Sequence, residues 1–246
     1  MVSLDLHAIA GTLESLEETI IHKLIDRAQF AANARAYIAG ESGFAGEPER
    51  SLFELRLAYQ ERMDAEFGRF HVPEERPFTH DLPQAKRTVT LPDTGLAAID
   101  YEVVNLCAAI VGSYLDAVPR ICVDGDDGQY GSSVEHDIYA LQAIARRIHY
   151  GALYVAESKY RDDTRGYRAL IERHDTEALM ERLTRIAVEE RIITRIHRKA
   201  RQAQEEINLQ LRRIVDPELI VTFYRDTIIP LTKQGEIAYL LHRPPL

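Results

Sequence analysis

The chain has 246 residues, 46% of them hydrophobic and 28% charged, a balance that builds a sizeable core and excludes disorder as the dominant state. Thirty-nine acidic against 30 basic side chains give a net charge of −9, which argues against nucleic acid as the main partner because phosphate binding needs a dense basic face. No apolar stretch reads as a membrane span, the acidic N-terminal segment lacks the basic flank and apolar run of a signal peptide, and Cys107 and Cys122 sit at no zinc or redox spacing; the expectation is a cytoplasmic protein with reduced thiols and no membrane partner.

Leu6, Ile9, Leu13, Leu16, Ile20 and Leu24 recur every three or four residues and draw one apolar stripe along a first helix, from about residue 4 into the thirties. Gly40, Gly43, Gly46 and Pro48 break the pattern, and Ser51 caps a second helix reaching about Phe67. Between His71 and Gly95, four prolines and little periodicity predict a long surface loop within one domain. Helical patterning resumes from Leu96 to Val118, with Pro119 as its stop. The run Asp124 to Gly128 has calcium-loop composition, but Gln129 stands where an EF-hand needs glycine, so a solvated turn is expected. A long helix follows from Ser132 to about Asp162, then a short one near Tyr167 to Arg173. Asp175 caps another long helix to about Leu211, and Asp216-Pro217 opens a last helix to about Leu241, kinked at Pro230. No alternating strand pattern persists. The fold class is all-α: a single domain of long packed helices.

Several helices carry a polar residue where their stripe calls for an apolar one. Glu189 interrupts Leu179, Leu183, Ile186, Ile193 and Ile196; Thr232 and Glu236 fall between Ile229 and Leu240; Arg147 follows Ile144 by three residues. One such residue alone is ordinarily a rim group or half of an ion pair. Several helices each sending a polar group inward predict a polar pocket inside a helix bundle, because unpaired buried charge is costly and is kept mainly where a site uses it. Such a pocket suits a small anionic ligand.

The segments Arg146-Arg147-Ile148-His149-Tyr150-Gly151 and Val155-Ala156-Glu157-Ser158-Lys159-Tyr160 resemble the central helix of the all-helical chorismate mutases of fungi and plants. Leu16 to Ile21 with Asp26 to Phe30, Pro73 to Phe78, Gly131-Ser132, Ala187 to Glu190, and Ile229 to Glu236 followed by Tyr239-Leu240-Leu241 match the same family in the same order, so the resemblance spans nearly the whole chain, most weakly between residues 79 and 128. It implies the helix-bundle fold of that family and its reaction, a concerted rearrangement of chorismate to prephenate with no covalent enzyme intermediate. Such a site holds a flexible dianion in its reactive shape and stabilises charge developing on the breaking ether oxygen. On this resemblance Arg147 binds a carboxylate, Lys159 and a protonated Glu236 donate to the ether oxygen, Glu189 meets the ring hydroxyl and Thr232 helps seat a carboxylate. Arg27, Arg146 and Glu190 read as structural or rim residues. The resemblance also implies a homodimer, no metal or cofactor, and a possible effector site at Arg69, Gly131 and Ser132; Gly68 and Glu135 depart from the effector pattern.

Three further departures bear on activity. The first helix has Ala10 where the family carries an arginine. Arg185 stands four residues before Glu189 in place of an asparagine; at that spacing the two share a helix face, and Arg185 pairs with Glu189, points away, or supplies the cation missing at residue 10. Lys159 follows Arg147 by 12 residues rather than eleven, and at 100° per residue a regular helix would turn the two about 120° apart. A one-residue π-bulge between Tyr150 and Val155, at Gly151, restores convergence. Alternatives are a catalytically altered relative acting on another chorismate-derived acid, or a non-catalytic regulatory or binding protein.

Overall fold

A computed structural model describes residues 4–98, 100–205 and 212–244. Helix α1, Leu6–Arg27, is capped by Asp5, whose carboxylate accepts from the His7 N–H. It stops at Arg27 rather than running into the thirties, because the Arg27 guanidinium gathers the chain that follows. That side chain donates to the Ala31 and Ala32 carbonyls at 3.0 and 3.2 Å while pairing with buried Asp137 at 2.6 Å. Tyr37 and Tyr114 complete the Asp137 carboxylate, each at 2.7 Å, so this buried charge is fully bonded and Arg27 is structural. Helix α2, Leu52–Glu66, opens with the predicted Ser51 cap, reciprocated by the Glu54 side chain.

From Val72 to Tyr101 the described residues form no helix or strand. The loop is tied back: buried Glu61 accepts from the Phe78 and Thr79 N–H groups, Phe78 packs on one core cluster, and Leu96 and Tyr101 pack on the other. The third helix therefore begins later than its apolar pattern suggested. Helix α3 is Cys107–Ile121, and Pro119 lies inside its last turn, where the Cys122 N–H still reaches the Val118 carbonyl at 3.0 Å. The stretch Glu102–Ile121 is long and apolar enough to pass for a membrane span, which the sequence reading missed. Its continuous helix has only 15 residues, about 22 Å, short of the roughly 30 Å of a hydrocarbon core, and extended Asn105 separates it from the turn before. The Asp124–Gly128 run is a turn, in which Asp127 accepts from the Ala31 N–H and the Asn33 amide.

The spine is a continuous helical rod. It comprises α4, Tyr130–Tyr150; a π-helical turn, Gly151–Val155; and α5, Ala156–Asp162. Its first half packs on α1 and its second on the C-terminal helix. After α6, Thr164–Glu172, the predicted long helix is two: α7, Thr176–Leu183, capped by Asp175, and α8, Ile186–Gln202. The break falls at Thr184, whose hydroxyl turns back to the Met180 carbonyl at 2.8 Å, and the Leu183 carbonyl left over accepts from Lys159. The expected end of that helix near Leu211 lies outside the described residues. The last helix runs as α9, Pro217–Phe223, a second π-helical turn, Tyr224–Ile228, and α10, Ile229–His242. Pro230 enters at the start of α10, so the widened turn before it takes up the proline that was expected to kink a regular helix.

His149, one turn from the π-helical segment, is fully buried and its Nε2 accepts from the Leu106 N–H at 3.0 Å, at the start of α3. Burial and nearby Arg76 pull its pKa down to about 3. The folded state therefore keeps a neutral ring while an unfolded histidine takes a proton near 6.5, so between those values the unfolded state binds one more proton and stability falls as the pH drops. Urea midpoints at pH 7 and 4.5 should show His149→Gln losing less stability on acidification than the parent, by roughly 1 kcal/mol per pH unit or somewhat more. Parallel losses would assign the acid sensitivity elsewhere.

Candidate active site

The rod crosses α10 where both chains are small. A Cβ on Gly151 would stand 2.7 Å from the Thr232 Cγ2, and one on Gly235 would stand 2.6 Å from the Ala152 Cβ. The backbones approach this closely because neither glycine has a side chain. Two polar bonds cross the same junction: Arg147 Nη1 donates to Thr232 Oγ1 at 2.9 Å, and Lys159 Nζ donates to Glu236 Oε2 at 2.9 Å. Arg147 and Lys159 thus converge despite 12 intervening steps, and the π-helical turn at Gly151–Val155, where the spacing demanded one, supplies the correction.

Beside this junction α1, α5, α8 and α10 enclose a cavity of about 410 Å³. Arg147, Lys159, Arg185, Glu189, Thr232 and Glu236 all line it, and so does Ala10. Its walls carry six basic and four acidic side chains, a local excess of positive charge in an acidic protein. Arg147 is buried, and its Nε finds no acceptor among the described residues; the Tyr224 hydroxyl, fully buried nearby, is likewise unpartnered. Glu236 is buried, and burial pushes its carboxyl above the usual range against the opposing pull of Lys159, Arg147 and Lys233. Lys159 Nζ also donates to the Leu183 carbonyl at 3.2 Å, which leaves one of its three protons for a ligand. Thr232 is committed: its hydroxyl donates to the Ile228 carbonyl at 2.7 Å and accepts from Arg147.

Glu189 does not pair with Arg185. Its partner is Lys233, at 3.1 Å, and Arg185 is the non-helical capping residue just before α8 rather than a member of one helix with Glu189. Sequence reasoning also missed Arg195, which grips Glu17 through two bonds of 2.8 and 2.7 Å and reaches Glu14 at 3.1 Å. The signal was present in Glu17, a carboxylate four residues after Leu13 and three before Ile20 on the apolar side of α1, where burial demands a cation. Arg69, Gly131 and Ser132 lie outside this cavity. Arg69 is engaged with Asp64, Glu75 and Gln142, and Gln142 is ten residues along α4 from Ser132, about 15 Å away.

Thr232 is the sole hydroxyl or thiol on the described cavity wall, and its proton is already spent on the Ile228 carbonyl. Among the described residues no three histidine, cysteine or carboxylate side chains cluster as metal ligands. Opposed cations and carboxylates around a buried acid, between long helices, make an all-helical pocket suited to holding a small anionic ligand. No protein-family model matches the chain. It is 36% identical over 249 residues to the cytosolic chorismate mutase 2 of Zea mays, covering 98% of this chain and 96% of that one. The structure of the Candida albicans chorismate mutase Aro7p in complex with L-Trp superposes with a TM-score of 0.89 at 35% identity over 98% of this chain and 92% of that one. The chorismate mutase AtCM1 with phenylalanine in its allosteric site superposes at 0.88, also at 35% identity, covering 98% and 97% of the two chains. The chain belongs to the chorismate mutase family.

The close crossing at Gly151 is open to test. Gly151→Ala places a methyl group against Thr232, forcing that side chain off Arg147, and should cost about 1–3 kcal/mol of stability. A urea midpoint unchanged from the parent would show that the junction has slack.

Proposed function

We propose that this chain converts chorismate to prephenate in the cavity between α1, α5, α8 and α10, with Arg147, Lys159, Glu189 and Glu236 as its catalytic residues. The observation that carries the reading is the Lys159–Glu236 pair, held 2.9 Å apart beside a buried arginine that has no carboxylate partner among the described residues. The unmet Nε donor of Arg147 receives a substrate carboxylate. Thr232 contributes to that grip by orienting the guanidinium, since its own proton goes to Ile228. The free proton of Lys159 and the acid proton of Glu236 converge on the ether oxygen, where negative charge develops as the bond breaks. Glu189, steadied by Lys233, accepts from the ring hydroxyl. The bond reorganisation is concerted, so the reading requires no cofactor.

We read the chain as one domain, because the rod of α4 and α5 runs through both core clusters. A homodimer is supported by an exposed apolar row on α2, where Tyr59, Met63 and Phe67 recur every four residues and Phe44 lies against Tyr59 with ring centroids 5.9 Å apart. If Arg69, Gly131 and Ser132 serve one effector, their separation within a chain calls for contributions from two. A cytoplasmic location agrees with the cytosolic relative. The absence of a cation at Ala10 and the unpaired Arg185 favour, as a second reading, a related acid as substrate; product identification distinguishes the two.

A steady-state assay of chorismate loss with prephenate detection tests the proposal. Glu236 donates only when protonated, and the protonated fraction falls as the pH rises through its elevated pKa, so activity should decline with rising pH. Glu236→Gln donates an amide proton at any pH and should flatten the profile. A slope that persists in this variant would place control in another group.

A further inference from the structure

The cations of the cavity differ in what holds them. Lys159 is paired with Glu236, Lys233 with Glu189, and Arg195 with Glu17 and Glu14, so these positive charges are largely neutralised before any ligand enters. Arg147 sits on a hydroxyl and keeps its charge for the ligand. Arg185 and Arg191 also lack a carboxylate partner among the described residues, but Arg191 has its Nε bound to the Ala187 carbonyl at 3.1 Å, whereas Arg185 shows no side-chain hydrogen bond or ion pair.

The position of Arg185 is fixed by the chemistry on the far wall. It follows directly on Leu183 and Thr184, where α7 and α8 part. Lys159 Nζ binds the Leu183 carbonyl at 3.2 Å, and Lys233 Nζ reaches the Thr184 hydroxyl at 3.4 Å. Two lysines of the cavity thus pin the residues immediately before Arg185 across the opening, while its own side chain stays solvent-accessible on the wall. The facing stretch of α1 offers Leu6, Ile9, Ala10 and Leu13, none of them cationic. A guanidinium placed this way, uncompensated and tethered by its backbone to the donors of the site, is a preformed partner for a carboxylate.

We propose that Arg185 binds the second carboxylate of the substrate at the mouth of the cavity and makes the site selective for a dianion over the corresponding monoanion. The assignment rests on the chorismate mutase reading given above and adds to it the residue that recognises the second charge. Arg147 at the floor and Arg185 at the mouth would then grip the two carboxylates of one molecule. Binding at two points holds the flexible substrate in a compact shape better than one point does.

The test crosses protein variants with substrate variants. Arg185→Ala, Arg185→Lys and Arg191→Ala are assayed with chorismate and with each of its two carboxylate monomethyl esters. Neither Arg185 nor Arg191 makes a hydrogen bond or ion pair with another side chain among the described residues, so all three proteins should keep the parent urea midpoint. Arg185→Ala should lower kcat/KM for chorismate by about a hundredfold, the size expected of a charge-assisted bond, chiefly through KM. Arg185→Lys should recover part of the loss, and Arg191→Ala should stay within threefold of the parent. With one of the two esters the Arg185→Ala effect should shrink to within threefold, because the charge that Arg185 reads is gone. Turnover of chorismate by the parent with Arg185→Ala within threefold of it, or an equal loss with both esters and the dianion, would overturn the assignment and leave the function standing. If the parent does not turn over chorismate, the functional reading fails, and calorimetric titration with prephenate still decides the role of Arg185. Binding by the parent that Arg185→Ala weakens at least tenfold would support it; equal binding, or none, would overturn it.

Discussion

The angular phase between Arg147 and Lys159 governs the site. Both belong to one rod, and both face α10, where Arg147 meets Thr232 and Lys159 meets Glu236. An unbroken α-helix over 12 residues would send Lys159 away, where a lone ammonium has no reason to be half-buried. The π-helical turn at Gly151–Val155 restores the phase, and the rest of the arrangement depends on it. Gly151 and Gly235 let the backbones meet; Thr232 is set to orient Arg147; Glu236 finds Lys159; and the carbonyl freed at the α7–α8 break is taken by the same lysine. A second buried carboxylate secures the rod from behind. Glu157 accepts from Arg243, Arg161 and Tyr239, holding α5 to the end of α10 so that Lys159, two residues on, turns toward the cavity.

Charge separation gives the site its character. A chain with nine excess negative charges lines this cavity with six basic and four acidic side chains, so the local balance of charge is opposite in sign to that of the whole chain. Within the cavity, burial and the cations act on Glu236 in opposite directions, and burial prevails. In the proposed reaction the same lysine that tempers this carboxylic acid would share with it the task of stabilising developing negative charge. Reaction by positioning and electrostatics, without a nucleophile, suits such a pairing.

Much of this was legible in the residues. Polar groups on apolar stripes pointed to Arg147, Glu189, Thr232 and Glu236 because helical periodicity converts spacing into facing, and the residue before Lys159 that is extra against the spacing of the chorismate mutases the chain resembles could be read, by angular arithmetic, as a π-helical turn. The α7–α8 break was hidden. Ile186 keeps the apolar rhythm of one long helix yet is 69% exposed, and the competition that ends α7, a threonine hydroxyl and a lysine from another helix, is tertiary. The early end of α1 was hidden for the same reason, since Asp137, which fixes Arg27, lies 110 residues away. The partner of Glu189 was left open by the sequence, where a pair with Arg185 was one of several outcomes of a spacing that supposes a continuous helix. Lys233, next to Thr232, is the nearer cation in space.

The phase of the rod decides whether Lys159 reaches Glu236, and changing the rod's length measures that directly. Deleting Tyr154, which lies in the π-helical turn and outside the cavity, leaves eleven steps from Arg147 to Lys159, a spacing at which a regular α-helix aligns the two within about 20°. Inserting an alanine after Tyr154 instead turns Lys159 by roughly a further 100°. With turnover of chorismate as the readout, the deletion should keep kcat/KM within about tenfold of the parent, and the insertion should lower it by more than about a hundredfold, the scale of a lost charge-stabilising donor. An active insertion variant beside an inactive deletion variant would contradict the claim that the π-helical turn exists to bring Lys159 onto Glu236.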